Sequence, residues 1–98
     1  MLSVRFVAHN SEWTESMKEL VHQKIASPLG RRVPAGGELH VHLRKEDSSR
    51  YVLWTEMQSQ SGRRKELARC RGGEFPALVN EVSSHIRVRL RRRPLEVM

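Results

Sequence analysis

The residues best suited to do chemistry are the basic side chains in the last third of the chain. Residues 62–93 hold ten Lys and Arg against three acids, whereas the rest of the chain holds eight of each sign. The formal net charge of +7 therefore falls entirely within this stretch. Its densest part is the run R-V-R-L-R-R-R at 87–93. Charge concentrated in this way predicts a polyanionic partner, of which nucleic acid is the most common.

Two basic clusters stand out within this stretch, at residues 63–65 and 87–93. Cations near a helix C-terminus are mildly favourable, and a charged hairpin tip is usually only solvated. Five arginines in seven positions exceed what helix stability needs. They repel one another unless neutralised, and the planar guanidinium can bind phosphate oxygens bidentately. We therefore predict phosphate contacts from Arg63, Arg64, Lys65, Arg87, Arg89, Arg91, Arg92 and Arg93.

The elements that must position these clusters follow from the apolar spacing. Alternating residues predict strands over 2–8, 38–45, 51–59 and 65–71. One helix begins after the cap residue Thr14 and is ended by Ser27-Pro28 and Gly30, and a second runs from Phe75-Pro76 to Pro94. The order β-α-β-β-β-α indicates an α+β, two-layer fold of one domain over 1–98, with a core of about 2–93 and a tail at 94–98. Because each strand has one apolar side, both helices should cover the same face of a four-stranded sheet.

The fate of Trp54 depends on the register of the third strand. If Leu53, Thr55 and Met57 face the helices, Trp54 faces outward on the open side of the sheet. It would then lie near His42 and other basic side chains, where an aromatic ring can stack on a base. The opposite register buries the indole in the core, which is the more common place for tryptophan.

Other reactive residue types lack the partners that catalysis or metal binding needs. His40 and His42 share a strand face that His9 can approach, but no acid or cysteine is placed to complete a zinc site. Cys70 is the only cysteine and has no evident partner base, so we expect an unreactive strand residue. With no phosphate-binding glycine loop and no paired carboxylates, we expect a protein that is not an enzyme and takes no cofactor or small-molecule substrate.

The bulk composition gives an expected compartment. A single cysteine excludes an intramolecular disulfide, which favours a reducing environment. No apolar run approaches the ~20 residues of a membrane span, and the N-terminus is too polar for a secretory signal. We expect a cytoplasmic protein with no membrane partner.

Three segments, in this order and spacing, resemble the hibernation-promoting factor and ribosome-associated inhibitor family, also called sigma-54 modulation proteins. They are E-W-T-E-S-M-K-E-L-V at 12–21, L-R-K-E at 43–46 and G-E-F-P-A-L-V-N at 73–80. The resemblance implies a fold similar to double-stranded-RNA-binding domains. It also implies binding to the RNA of the small ribosomal subunit, in the path of messenger and transfer RNA, and silencing of translation under stress. By position, the family's RNA contacts match Lys45, Arg87, Arg89, Arg91 and Arg92.

Some positions depart from the family pattern. His85 and Val88 stand where the family often has Lys or Arg, and Pro76 replaces a residue that is often aromatic. The basic turn at 63–65 resembles a small insertion. Only residues 94–98 follow the last helix, so the C-terminal dimerisation domain of the long-form factors is expected to be absent. Two alternatives stay open: a general structured-RNA-binding protein, and a protein-interaction module whose basic helix docks an acidic partner.

Overall fold

One mixed sheet forms the centre of the fold in a computed structural model that describes residues 2–33 and 36–92. Its strands are β1 (Ser3–His9), β2 (Glu38–Asp47), β3 (Arg50–Gln58) and β4 (Arg64–Gly72), in the order β1-β2-β3-β4. β1 and β2 are parallel, and the other neighbouring strands are antiparallel. The predicted α+β class and element order are confirmed, and the strand bounds lie within two residues of the predicted ones.

The first helix is continuous but irregular. It is α-helical over Glu15–Val21, π-helical over His22–Ala26 and α-helical again over Ser27–Gly30. Thr14 caps its start, since its hydroxyl accepts a 3.2 Å hydrogen bond from the amide of Met17.

The first helix ends at Gly30, the last of the residues predicted to end it, and it continues through Pro28 instead of stopping before it. Proline has no amide hydrogen to donate to the carbonyl four residues earlier, which is that of Lys24. The hydroxyl of Ser83, on the last helix, donates to this carbonyl at 2.9 Å instead. A side chain from the neighbouring helix thus replaces the missing backbone hydrogen bond.

The last helix spans Phe75–Arg92 and lies on the same face of the sheet. Proline is tolerated in its first turn, where the amide needs no partner within the helix. The predicted apolar stripe is buried, apart from the half-buried Phe75, whose ring meets Trp13 edge-on at 5.7 Å. The buried stripe comprises Leu78, Val79, Val82, Ile86 and Leu90.

In the part of the chain that the structure describes, no helix has the length and apolarity to cross a bilayer.

The register of β3 places Leu53 and Met57 in the core beneath the helices. Thr55, between them, is fully buried on the same face. This is the first of the two predicted registers, so Trp54 and its neighbours on the strand point to the open face. The pairing of β3 with β4 shifts after Thr55, where a bulge brings Leu67 and Ala68 both into the core.

The two helices run in the same direction, opposite to β2 and β4. The first helix must return from the end of β1 to the start of the parallel strand β2. The last helix reverses after β4, since Leu78 packs on Gly72 and His85 contacts Cys70. Both helix C-termini therefore lie at the same end of the molecule, beside the start of β4.

Candidate nucleic-acid interface

Three separate segments bring positive charge to the end of the molecule where both helices finish. They are the last turns of the first helix, the turn between β3 and β4, and the last two turns of the last helix. We call this region the basic end. Its members are Lys24, Arg31, Arg32, Arg63, Arg64, Lys65, Arg87, Arg89, Arg91 and Arg92.

The turn between β3 and β4 is held in shape by its backbone. The amide of Ser59 donates to the carbonyl of Arg63 at 2.8 Å, and the amide of Gly62 donates to the carbonyl of Ser59 at 3.0 Å. Gly62 has a φ of 88°, a conformation that side chains with a Cβ rarely adopt. β4 begins directly after this turn, at Arg64. The guanidinium of Arg64 donates a hydrogen bond of 2.8 Å to the side chain of Gln58.

The cations of the basic end are not neutralised by neighbouring acids. Within residues 2–33 and 36–92, none of them forms an ion pair with a carboxylate. All are exposed except Arg89, which is half-buried. The partial negative charges of two helix C-termini offset only part of the repulsion among these cations. The basic end therefore combines high positive potential with free hydrogen-bond donors, which suits a surface that binds phosphates.

Two arginines of the charged stretch lie elsewhere and are already paired. Arg69 and Arg71 project from β4 onto the open face of the sheet. Arg69 binds Glu66 at 2.9 Å, and Arg71 binds Glu46 at 2.6 Å. The charged stretch of the sequence therefore does not form one surface, because Arg69 and Arg71 lie apart from the basic end.

Lys45 lies at the opposite end of the molecule from the last-helix arginines. It is exposed near the end of β2, opposite Tyr51, which in turn pairs with Gly72. The length of β4 separates that position from Arg64 by about 26 Å at ~3.3 Å per residue. The fold therefore brings seven of the nine predicted contact residues toward one region but leaves Lys45 apart, and Arg93 lies outside the described residues.

The first-helix members of the basic end were missed by sequence reasoning. Lys24, Arg31 and Arg32 belong to the part of the chain whose formal charges cancel. They are nonetheless close to the last helix, since Lys24 and Arg32 line the same cleft as Arg87. The available signal was their position at the end of a predicted helix, where cations are commonly found.

His85 and Val88 interrupt the basic surface on the side of the last helix that faces β4. The side chains of His85, Val88, Arg89 and Arg92 line a shallow groove there. Val88 is 46% exposed, the one large hydrophobic side chain so exposed among the described residues. The Nδ1 atom of His85 lies 3.5 Å from Cys70 Sγ.

Cys70 is an unreactive thiol despite this contact with His85. The side chain is buried on the core face of β4. Burial, reinforced by the carboxylate of Glu81, raises its pKa to about 11. The thiolate form that a nucleophile requires is therefore negligible at neutral pH.

Trp54 lies on the open face, yet it is only 8% exposed. The ring of His42 stacks on it at 4.7 Å with an interplanar angle of 7°. The guanidinium of Arg69 lies 4.6 Å from the ring centroid, and that of Arg44 lies 5.4 Å from it. The side chains of the sheet itself occupy the surfaces that a base would need, so Trp54 is a structural residue of the open face.

The histidines of the open face bind to one another and to acids. His9 Nε2 lies 3.0 Å from His42 Nδ1, and His42 Nε2 lies 2.7 Å from Glu56. His40 Nε2 meets Glu38 at 2.7 Å. Burial lowers the pKa of His42, although Glu56 opposes this shift. Among residues 2–33 and 36–92, no group of three His, Cys, Asp or Glu side chains is arranged to hold a metal ion.

Comparison with known proteins shows a similarity of fold. No family model matches the sequence, and no curated protein matches it. The structure is similar to the crystal structure of the N-terminal domain of Protein Y from Thermus thermophilus, with a TM-score of 0.71 and 15% sequence identity. The match covers 94% of this chain and 98% of that domain. The chain therefore shares the α+β fold of the Protein Y N-terminal domain.

Proposed function

We propose that this protein is a ribosome hibernation factor that binds the RNA of the small ribosomal subunit through its basic end. The observation that carries the proposal is the convergence of unneutralised cations from three segments at one end of a small domain. The sequence resemblance to the hibernation factors supports the same function, as does the fold shared with the Protein Y N-terminal domain. Under this proposal the protein is cytoplasmic and is not an enzyme.

The proposed mechanism is electrostatic and steric. Arginine side chains of the last helix neutralise ribosomal RNA phosphates, each through a planar fork of donors. The rest of the domain then fills the path of messenger and transfer RNA and prevents initiation under stress.

The distribution of acids supports one orientation of approach. Glu12, Glu15 and Glu74 lie at the N-terminal ends of the two helices, away from the basic end. These acids offset cations such as Lys45 at that end, whereas the cations of the basic end have no acid paired with them among the described residues, so the basic end approaches a polyanion first.

Co-sedimentation with purified small subunits tests the proposal. With about six phosphate contacts, affinity should fall by roughly 10³ between 50 and 200 mM salt, if duplex behaviour transfers to ribosomal RNA. Initiator tRNA should compete with the protein for the subunit.

Three results would contradict the proposal. Binding that is insensitive to salt would exclude phosphate neutralisation as the main contribution to the affinity. Binding to subunits without competition from tRNA would indicate an RNA contact outside the decoding path. Capture of an acidic protein that survives nuclease treatment, with no subunit binding, would favour a protein-interaction module.

A further inference from the structure

The two helices leave a cleft between them that opens at the basic end. Its floor is apolar and consists of Ile25, Leu29, Ile86 and Leu90. Each of these side chains is at most 5% exposed and belongs to the core, so the floor is firmly supported. The cleft encloses about 90 Å³ and is open to solvent on one side. Its lining is mainly apolar, as in most ligand sites, and its size suits part of a molecule, such as one flat ring, rather than a whole ligand.

The rim of the cleft carries positive charge only. Lys24 lies on the first helix, Arg32 lies in the turn just after its end, and Arg87 lies on the last helix. No acid is among the described residues that line the cleft. The hydroxyl of Ser83, which lines the cleft, is already used, because it donates a hydrogen bond to the Lys24 carbonyl. The cleft thus offers cations at its mouth and no free polar group at its floor.

We propose that this cleft binds one unstacked nucleobase of single-stranded RNA, while the rim cations hold the phosphates on either side. The inference rests on the proposed function and locates one RNA contact within it. Sequence-tolerant single-strand sites combine a basic groove with aromatic side chains on which bases stack. In this cleft aliphatic side chains take the place of the aromatic ones, so an apolar floor contacts the flat face of any base while the cations beside it bind the backbone. Without a polar group to read the edge of the base, the cleft accepts purines and pyrimidines alike.

The charges and dimensions favour a nucleotide over an acidic peptide. The floor spans only about one helical turn on each side, which suits a single planar ring. Further cations lie beyond the rim, at Arg31 directly after the first helix and at Arg91 on the last helix. This gives the polynucleotide backbone a positive surface along which to continue in both directions.

The test compares two dye-labelled hexanucleotides by fluorescence anisotropy at low salt. One is hexa-deoxyadenylate, and the other carries the same phosphates but an abasic sugar at every position. If a base occupies the cleft, the abasic strand should bind at least about fivefold more weakly. Equal affinities would overturn the inference, because phosphates alone would then account for binding.

A variant pair locates the base. Pro28 lines the cleft and is exposed, so Pro28→Met should fill the cleft with a long aliphatic side chain, which offers no ring for a base to stack on, without disturbing the core. The affinity ratio of hexa-deoxyadenylate to the abasic strand should then fall toward 1. Gln23→Met is the matched control, because Gln23 is exposed but does not line the cleft, and it should keep the preference. If a folded Pro28→Met variant keeps the full preference, the base binds elsewhere and the inference fails.

Two further measurements complete the test. A poly-glutamate peptide that displaces hexa-deoxyadenylate at equal concentration would overturn the inference in favour of an acidic protein partner. If the original protein shows no base preference but binds small subunits, only this inference fails. If it binds neither the hexanucleotides nor small subunits, the proposed function fails as well.

Discussion

The hydroxyl of Ser83 donates a hydrogen bond of 2.9 Å to the backbone carbonyl of Lys24, joining the two helices where the first one contains Pro28. The proline leaves this carbonyl without its usual amide partner. The same contact fixes the distance between the two helices beside the cleft. A local irregularity of one helix is thus compensated by a side chain of the other.

Removing this hydroxyl should destabilise the domain. We expect Ser83→Ala to lower the free energy of unfolding by about 0.5–1.5 kcal/mol in urea denaturation. Pro28→Ala supplies an amide that can donate to Lys24, so Ser83→Ala should cost less in that background. A double-mutant cycle measures this coupling. Strictly additive effects of the two substitutions would show that the serine does not substitute for the missing amide.

Binding to small subunits should depend on the basic end rather than on positive charge in general. Arg87→Ala and Arg91→Ala should each weaken binding and reduce the slope of log affinity against log salt by about 1. Arg69→Ala is the matched control, since it removes an arginine that is already paired with Glu66. Lys45→Ala tests the contact that the family resemblance implies at the other end. Equal losses from Arg69→Ala and Arg91→Ala would argue against a localised site.

The stack on the open face should contribute to stability through the arginine above the indole. Arg69→Ala removes a cation 4.6 Å from the centroid of Trp54 and should lower the free energy of unfolding by about 0.5–1 kcal/mol. It should also increase quenching of Trp54 fluorescence by acrylamide, measured in a Trp13→Phe background. Arg63→Ala, in an exposed turn, should change neither quantity. Unchanged quenching in Arg69→Ala would show that the arginine does not cover the ring.

Stability should fall as the pH drops through the range in which histidine titrates. Burial lowers the pKa of His42 from its ordinary value of 6.5, with His9 and His40 adding to the shift and Glu56 opposing it. The unfolded chain therefore binds a proton more readily than the folded one, so this contribution is present above about pH 6.5 and is lost below it. His42→Phe keeps a ring in the stack and should reduce the loss of stability between pH 7 and pH 5.

The original protein provides the control for this measurement. If His42→Phe loses as much stability between pH 7 and pH 5 as the original protein does, His42 does not account for the acid sensitivity.

Cys70 should react only when the domain unfolds. Its pKa of about 11 and its burial leave almost no accessible thiolate at pH 8. The rate of labelling by an aromatic disulfide reagent should therefore follow the population of unfolded chain as urea is raised. Fast labelling in the absence of denaturant would contradict a buried, protonated thiol.

Much of the fold could be predicted because local patterns determine it. The alternation along β2 and the apolar stripe of the last helix each define one buried side, and the structure buries those sides. Thr14 has the side chain that a helix start requires, and it caps the first helix. The irregular end of that helix could not be predicted, since the group that compensates for Pro28 is a serine 55 positions later in the chain.

The candidate site likewise has a part that the sequence predicts and a part that it does not. The sequence by itself determined that the chain carries an excess of arginine on the last helix and at 63–65, because composition and periodicity are local properties. Only the tertiary structure decided which charges act together. It added Lys24 and Arg32 to the basic end, since a parallel crossover makes both helices finish there, and it neutralised Arg71 by placing Glu46 2.6 Å away. Electrostatic potential depends on distances in space, and sequence separation does not specify them.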